Sequence, residues 1–159
     1  MTQTSQDIWT PERRRALIGL IEHLFPFGLS PSDLKGEEHG LAGLDRAWIE
    51  ALGEGPYAGQ DALVAALLDE LNERACERGR ERTDKRIGEP FAQAPEDVRE
   101  SLLRGIEAEA DPYLTHALRA TLAVTLEQRL GDPSRGGNPD ALGWTALGLP
   151  AEGPRRRLR

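Results

Sequence analysis

The chain is expected to be all-α, on three observations. Apolar residues recur at helical spacing in five separate stretches, and each stretch is bracketed by capping or helix-breaking residues. No segment alternates apolar and polar residues strongly with the period of two that a half-buried strand needs. With 159 residues, 38% of them hydrophobic, the chain is long enough for one real core, and no internal repeat or second apolar block argues for two. The architecture expected is an irregular bundle of about five helices in a single domain, residues 1–150, with a C-terminal Gly/Pro-rich structured loop and a basic flexible tail at 151–159.

Thr10-Pro11-Glu12 has the order of N-cap, first helical residue and acidic first turn, after which Leu17, Leu20, Ile21 and Leu24 share one face and Pro26 stops the helix. From Phe27 to Gly40 the chain is turn-rich. Leu41, Leu44, Trp48 and Leu52 mark a second helix closed by Gly53. Asp61 can cap a third, with Val64, Leu67, Leu68 and Leu71 inward. The charge-dense run Glu73 to Glu89 is either a solvated extension of that helix or a mobile connection, and its poverty in apolar residues favours the connection. Pro95-Glu96-Asp97 opens a fourth helix, with Val98, Leu102, Leu103 and Ile106 inward. Asp111-Pro112 opens a fifth that runs to Leu130 and ends at Gly131. Leu114, Ala117, Leu118, Ala120, Leu122, Ala123, Val124 and Leu126 occupy several faces of this last helix, so it is expected to be the core, surrounded by the others.

A net charge of -7 and a pI near 5.1 argue against a nucleic-acid partner, since phosphate binding needs a concentrated basic face. No stretch approaches the ~18 apolar residues that span a bilayer. Arg13-Arg14-Arg15 and the apolar run behind it stop at Glu22-His23 without a small-residue cleavage site, which reads as a helix start rather than an export signal. The chain as written is therefore expected in the cytoplasm, with export to the periplasm on a partner's signal as the alternative. Cys76 is the single cysteine, so an intrachain disulfide, a Cys-based zinc site and covalent haem attachment are excluded.

Catalytic chemistry finds no motif. His23, His39 and His116 form no His-Glu-x-x-His and no Glu-x-x-His pair, and His39 beside Glu37-Glu38 reads as an exposed polar cluster. Glycines 131, 136, 137, 143 and 148 match neither a dinucleotide fingerprint nor a P-loop. Ser30, Ser32 and Ser101 lack the context of a nucleophile, and Cys76 between Arg74 and Arg78 reads as an incidental helix-face thiol. No catalytic residue, metal ligand or cofactor is assigned to this chain. Trp48 reads as core, and Trp9 as a staple or an exposed contact.

The informative stretch is Gly131 to Pro150, GDPSRGGNPDALGWTALGLP. It is too rich in Gly and Pro for a regular element and too rich in anchors for a disordered tail. Asp132-Pro133 and Asn138-Pro139 initiate turns, and Gly136-Gly137 permits positive φ or close backbone approach. Trp144 with Leu142, Leu147 and Leu149 can pin the segment down. Trp144 reads first as a loop anchor packed on the bundle and second as a partner contact. Asn138 is suited to cap its own turn.

The order Gly-Asp-Pro, two residues, Gly-Gly-Asn, a spacer, Gly-Trp and Leu-Gly-Leu-Pro resembles the C-terminal signature of the gluconate 2-dehydrogenase subunit 3 family. The match covers about twenty residues, and several Gly, Pro, Asn and Trp positions must coincide. The family usually has an aromatic residue before Gly-Gly-Asn, where Ser134-Arg135 stands here, and often carries a twin-arginine export signal. The resemblance implies a non-catalytic accessory subunit of an FAD-dependent sugar, sugar-acid or glycoside dehydrogenase, with the FAD in a large glucose-methanol-choline type partner and a cytochrome c subunit as a further candidate. The residues it marks for partner contact are Asp132, Pro133, Arg135, Gly136, Gly137, Asn138, Gly143 and Trp144. A free-standing helical ligand-binding or regulatory domain is the alternative.

Overall fold

The computed structural model describes residues 8–25, 41–54, 56–83, 90–131 and 141–149. Among these residues it is all-α: α1 (Pro11–Leu24), α2 (Leu41–Glu54), α3 (Asp61–Thr83), a 3-10 turn (Phe91–Gln93), α4 (Glu96–Glu109), α5 (Pro112–Leu130) and α6 (Leu142–Ala146). No helix among the described residues is long and apolar enough to cross a membrane. The tail at 151–159, the turn-rich stretch before α2 and His39 lie outside the described residues.

Local chemistry sets the helix starts. Thr10 Oγ1 accepts from Arg13 N at 3.3 Å to cap α1. Asp111 Oδ1 accepts from Tyr113 N and Leu114 N at 2.8 and 3.0 Å to cap α5. Each cap is followed by a proline, which has no N–H to leave unsatisfied. Asp61, the expected cap of α3, is instead the first residue of that helix, and its carboxylate accepts the indole N–H of Trp9 at 3.1 Å. Between α4 and α5 the chain turns at Ala110, which takes a left-handed φ of 54°.

α3 and α5 pair most extensively, with α1, α2 and α4 packed around them. Val64, Leu67, Leu68 and Leu71 of α3 are fully buried, as are Leu17, Leu20 and Ile21 of α1, Trp48 and Leu52 of α2, Ile106 of α4 and Phe91 of the 3-10 turn. The centre is thus shared by two helices, which corrects the expectation that α5 alone is the surrounded element. On α5, Ala117, Ala120, Thr121, Val124 and Thr125 face inward, while Leu122 and Leu126 face out. The two threonines are buried without penalty because each hydroxyl donates to a carbonyl one turn back, Thr121 to Ala117 O and Thr125 to Thr121 O.

The charged run after Leu71 is helical as far as Thr83, against the expectation of a connection. Tertiary partners hold it. Asn72 Oδ1 accepts from Phe91 N at 3.1 Å, Ala75 is buried, and Arg74 forms a bidentate pair with Glu109 at 2.6 and 2.8 Å besides its bond to Glu70. Residues 84–89 of that run lie outside the described set.

Candidate partner-binding surface at the end of the last long helix

Of the residues marked by the signature, Asp132, Pro133, Arg135, Gly136, Gly137 and Asn138 lie outside the described residues, and Gly143 and Trp144 lie within them. Both are in α6, a five-residue helix inside a segment expected to contain no regular element. Between the prolines at 139 and 150, residues 141–149 all retain a backbone N–H, which permits it.

The segment is held at both ends. At its entry, Gly131 N donates to Glu127 O at 2.8 Å, and a Cβ at Gly131 would collide with that same carbonyl, so only glycine fits this exit from α5. Thirteen positions after Gly131, Trp144 returns to the helix end: its indole N–H donates to Leu130 O at 2.7 Å. The last carbonyls of a helix have no partner within it, and Trp144 satisfies one of them. Ala141 starts α6 from a left-handed φ of 55° and is buried, as is Gly143. Thr145 Oγ1 donates to Ala141 O at 3.1 Å. Leu149 N then donates to Trp144 O at 2.8 Å, with Gly148 at φ 70° making the turn between them. Trp144 itself is half-buried, as an anchor with one open edge would be.

Large apolar side chains are exposed on α5 and beyond α6. Leu122 and Leu126 are 37% and 39% exposed, and Leu147 and Leu149 beyond α6 are 43% and 41% exposed. Residues 122, 126 and 129 follow one another at i, i+4 and i+7, so Arg129 continues the Leu122–Leu126 stripe. Arg129 is half-buried and its Nε is buried without an acceptor. Burial lowers its pKa from the usual arginine value, and the nearby charge of Glu22 only partly offsets this.

Elsewhere among the described residues, Gln60 Oε1, Arg99 Nε and Thr115 Oγ1 are also buried without a partner. His23 Nε2 lies 3.1 Å from Glu100 Oε2, His116 is exposed, and Trp9 and Trp48 are both buried, so Trp9 is a packing residue rather than an exposed contact. An open groove of about 280 Å³ between α3 and α4 is lined by arginines and glutamates, with Ser101 on its wall and no histidine. Among the described residues no three His, Cys, Asp or Glu converge to hold a metal ion. What sequence reasoning missed was Arg129 and the open face of α5. An arginine at i+7 from an apolar residue was the available signal.

No protein-family model, curated protein or solved structure matches this chain.

Proposed function

We propose that this chain is a non-catalytic accessory subunit of an FAD-dependent oxidoreductase of the glucose-methanol-choline class, which acts on a sugar, sugar acid or glycoside. The flavin and the catalytic base belong to the large partner. This chain stabilises, assembles or orients that partner, and its compartment follows the partner's.

The observation that carries the reading is the bond from the Trp144 indole to Leu130 O, which fastens the signature's one large anchor to the end of α5. A segment with both ends fixed loses less conformational freedom on binding, which favours an interface. The Gly-Asp-Pro, Gly-Gly-Asn and Gly-Trp order of residues 131–144 supplies the kinship with the small subunits, and the helical body is compatible with it.

Co-expression with a large FAD-dependent dehydrogenase of the glucose-methanol-choline class from the same source tests the proposal. The two are expected to elute together, with FAD in the large subunit and dehydrogenase activity that falls when the small chain is left out. Separate elution, with a flavoprotein fully active and soluble alone, would overturn it and leave the free-standing regulatory or ligand-binding domain as the better reading.

A further inference from the structure

We infer that the Leu122–Leu126–Arg129 stripe of α5 is a docking face for the flavoprotein subunit, and that the partner covers it with an apolar ridge bearing a carboxylate directed at Arg129. The inference rests on the accessory-subunit reading and adds to it the surface and the chemistry of contact.

Two independent observations meet on this stripe. The first is apolar: Leu122 and Leu126, one turn apart, are left open on a helix whose other flank forms the centre of the core. Single exposed leucines are ordinary, but two a turn apart on one helix face form an apolar strip of the kind that marks an interaction site. The second is electrostatic. Arg129 has given up part of its hydration, its Nε is buried with no acceptor, and among the described residues no carboxylate forms an ion pair with it. Arg13 pairs with Asp69 at 2.7 and 2.8 Å, Arg74 with Glu70 and Glu109, and Arg104 with Glu100 at 2.7 Å, while Arg99, whose Nε is also buried without an acceptor, donates to Gly19 O at 3.4 Å.

A half-buried guanidinium without an acceptor costs the isolated chain stability, and its planar fork matches a carboxylate in two parallel hydrogen bonds. Charge complementarity therefore selects an acidic group, and the leucines before Arg129 require an apolar surface beside it. Exposed Arg119, one turn before Leu122, extends the same preference for an acidic partner toward the other end of the stripe. Arginine is also among the residue types enriched at interface hot spots.

The test uses the full chain and the co-expressed FAD subunit, with binding measured by titration and folding by thermal melting. Leu126→Glu places a charge on an exposed position and is expected to melt like the wild type while weakening the complex at least about tenfold. Arg129→Met is expected to give opposite signs in the two assays: a melting temperature equal to or above the wild type, because the unmatched burial is removed, and a complex at least about tenfold weaker. Wild-type affinity in either variant overturns the docking face while the accessory reading stands. A lowered melting temperature for Arg129→Met also overturns it, because the fold itself would then be using the guanidinium. Absence of any wild-type complex removes both proposals. Wild-type chain that dimerises alone, and is dispersed by Leu126→Glu, assigns the face to a second copy instead.

Discussion

The indole of Trp9 meets that of Trp48 edge to face, with ring centroids 6.2 Å apart and planes at 76°. Each N–H leaves the pair in its own direction, Trp9 to the Asp61 carboxylate at 3.1 Å and Trp48 to Thr125 Oγ1 at 3.2 Å. The pair thereby joins the segment before α1, the start of α3, the middle of α2 and the buried face of α5. Trp48→Phe keeps one aromatic ring but removes the donor and leaves a cavity where the rest of the indole packed, and is expected to lower stability by more than the ~1 kcal/mol of the hydrogen bond alone in urea unfolding. A double-mutant cycle with Trp9→Leu and Trp48→Leu should give a coupling of about 0.5–1.5 kcal/mol, the value of an aromatic pair beyond its buried area. Strict additivity would mean that the rings touch without cooperating.

Two helical glycines should respond to alanine with opposite signs. Gly19 on α1 faces the 3-10 turn, and a Cβ there would stand 2.8 Å from Ala92 Cα, a backbone atom that cannot swing aside. Gly19→Ala is expected to destabilise by about 1–3 kcal/mol through overpacking, although alanine is the better helix former. Gly105 on α4 has nothing within 4 Å of the same position. Gly105→Ala should therefore stabilise by up to about 1 kcal/mol. Thermal melts of the two variants side by side read the difference.

Acid should loosen the contacts of α4. The hydrogen bonds from Arg74 hold the Glu109 carboxyl below its ordinary value of 4.5, and those from His23 and then Arg104 do the same for Glu100. A carboxyl whose pKa is lower folded than unfolded binds fewer protons when folded, so its stabilisation is complete above pH 4.5 and is lost as pH falls through the folded value. Melting temperature should stay level down to about pH 5 and decline below it. In Glu109→Gln, which cannot titrate, the decline should be shallower. An unchanged slope would show that other carboxyls govern acid unfolding.

Trp144→Phe tests the tether by itself. It keeps one aromatic ring and leaves Leu130 O without its side-chain donor, for an expected loss of at least about 1 kcal/mol at this half-buried site. Trp144→Ala, which also removes the packing, should cost more, on the order of 3 kcal/mol. Chemical denaturation of both variants separates the two contributions: no loss in Trp144→Phe would mean that the hydrogen bond is idle, and equal losses would mean that the packing removed only by alanine adds nothing.

What could be read from the sequence was what neighbouring residues decide among themselves. Thr10-Pro11 and Asp111-Pro112 announce their helices because a cap is chemistry over three or four residues. The inward set Val98, Leu102, Leu103 and Ile106 is the buried set of α4. The helicity of residues 73–83 was not legible, because its support comes from Glu109, 35 positions from Arg74, and from Phe91, 19 positions from Asn72. Thr125 is polar by type, and in its buried place it accepts from Trp48, which α2 delivers from 77 positions away. At the candidate surface, the anchoring role of Trp144 was legible and its acceptor was not. The open flank of α5 was concealed by composition, since an apolar run looks the same whether or not a neighbouring helix covers each face.

The bond from Trp144 to Leu130 spans 14 positions of chain. It makes the stretch between them a bridge with fixed abutments. For such a bridge the entropy of closure changes slowly with length, by only about 0.6 kcal/mol for each doubling. On closure entropy alone, extra residues inserted between Asp132 and Asp140 would therefore cost little, and the end of the last long helix would keep its own termination by Gly131 and the indole.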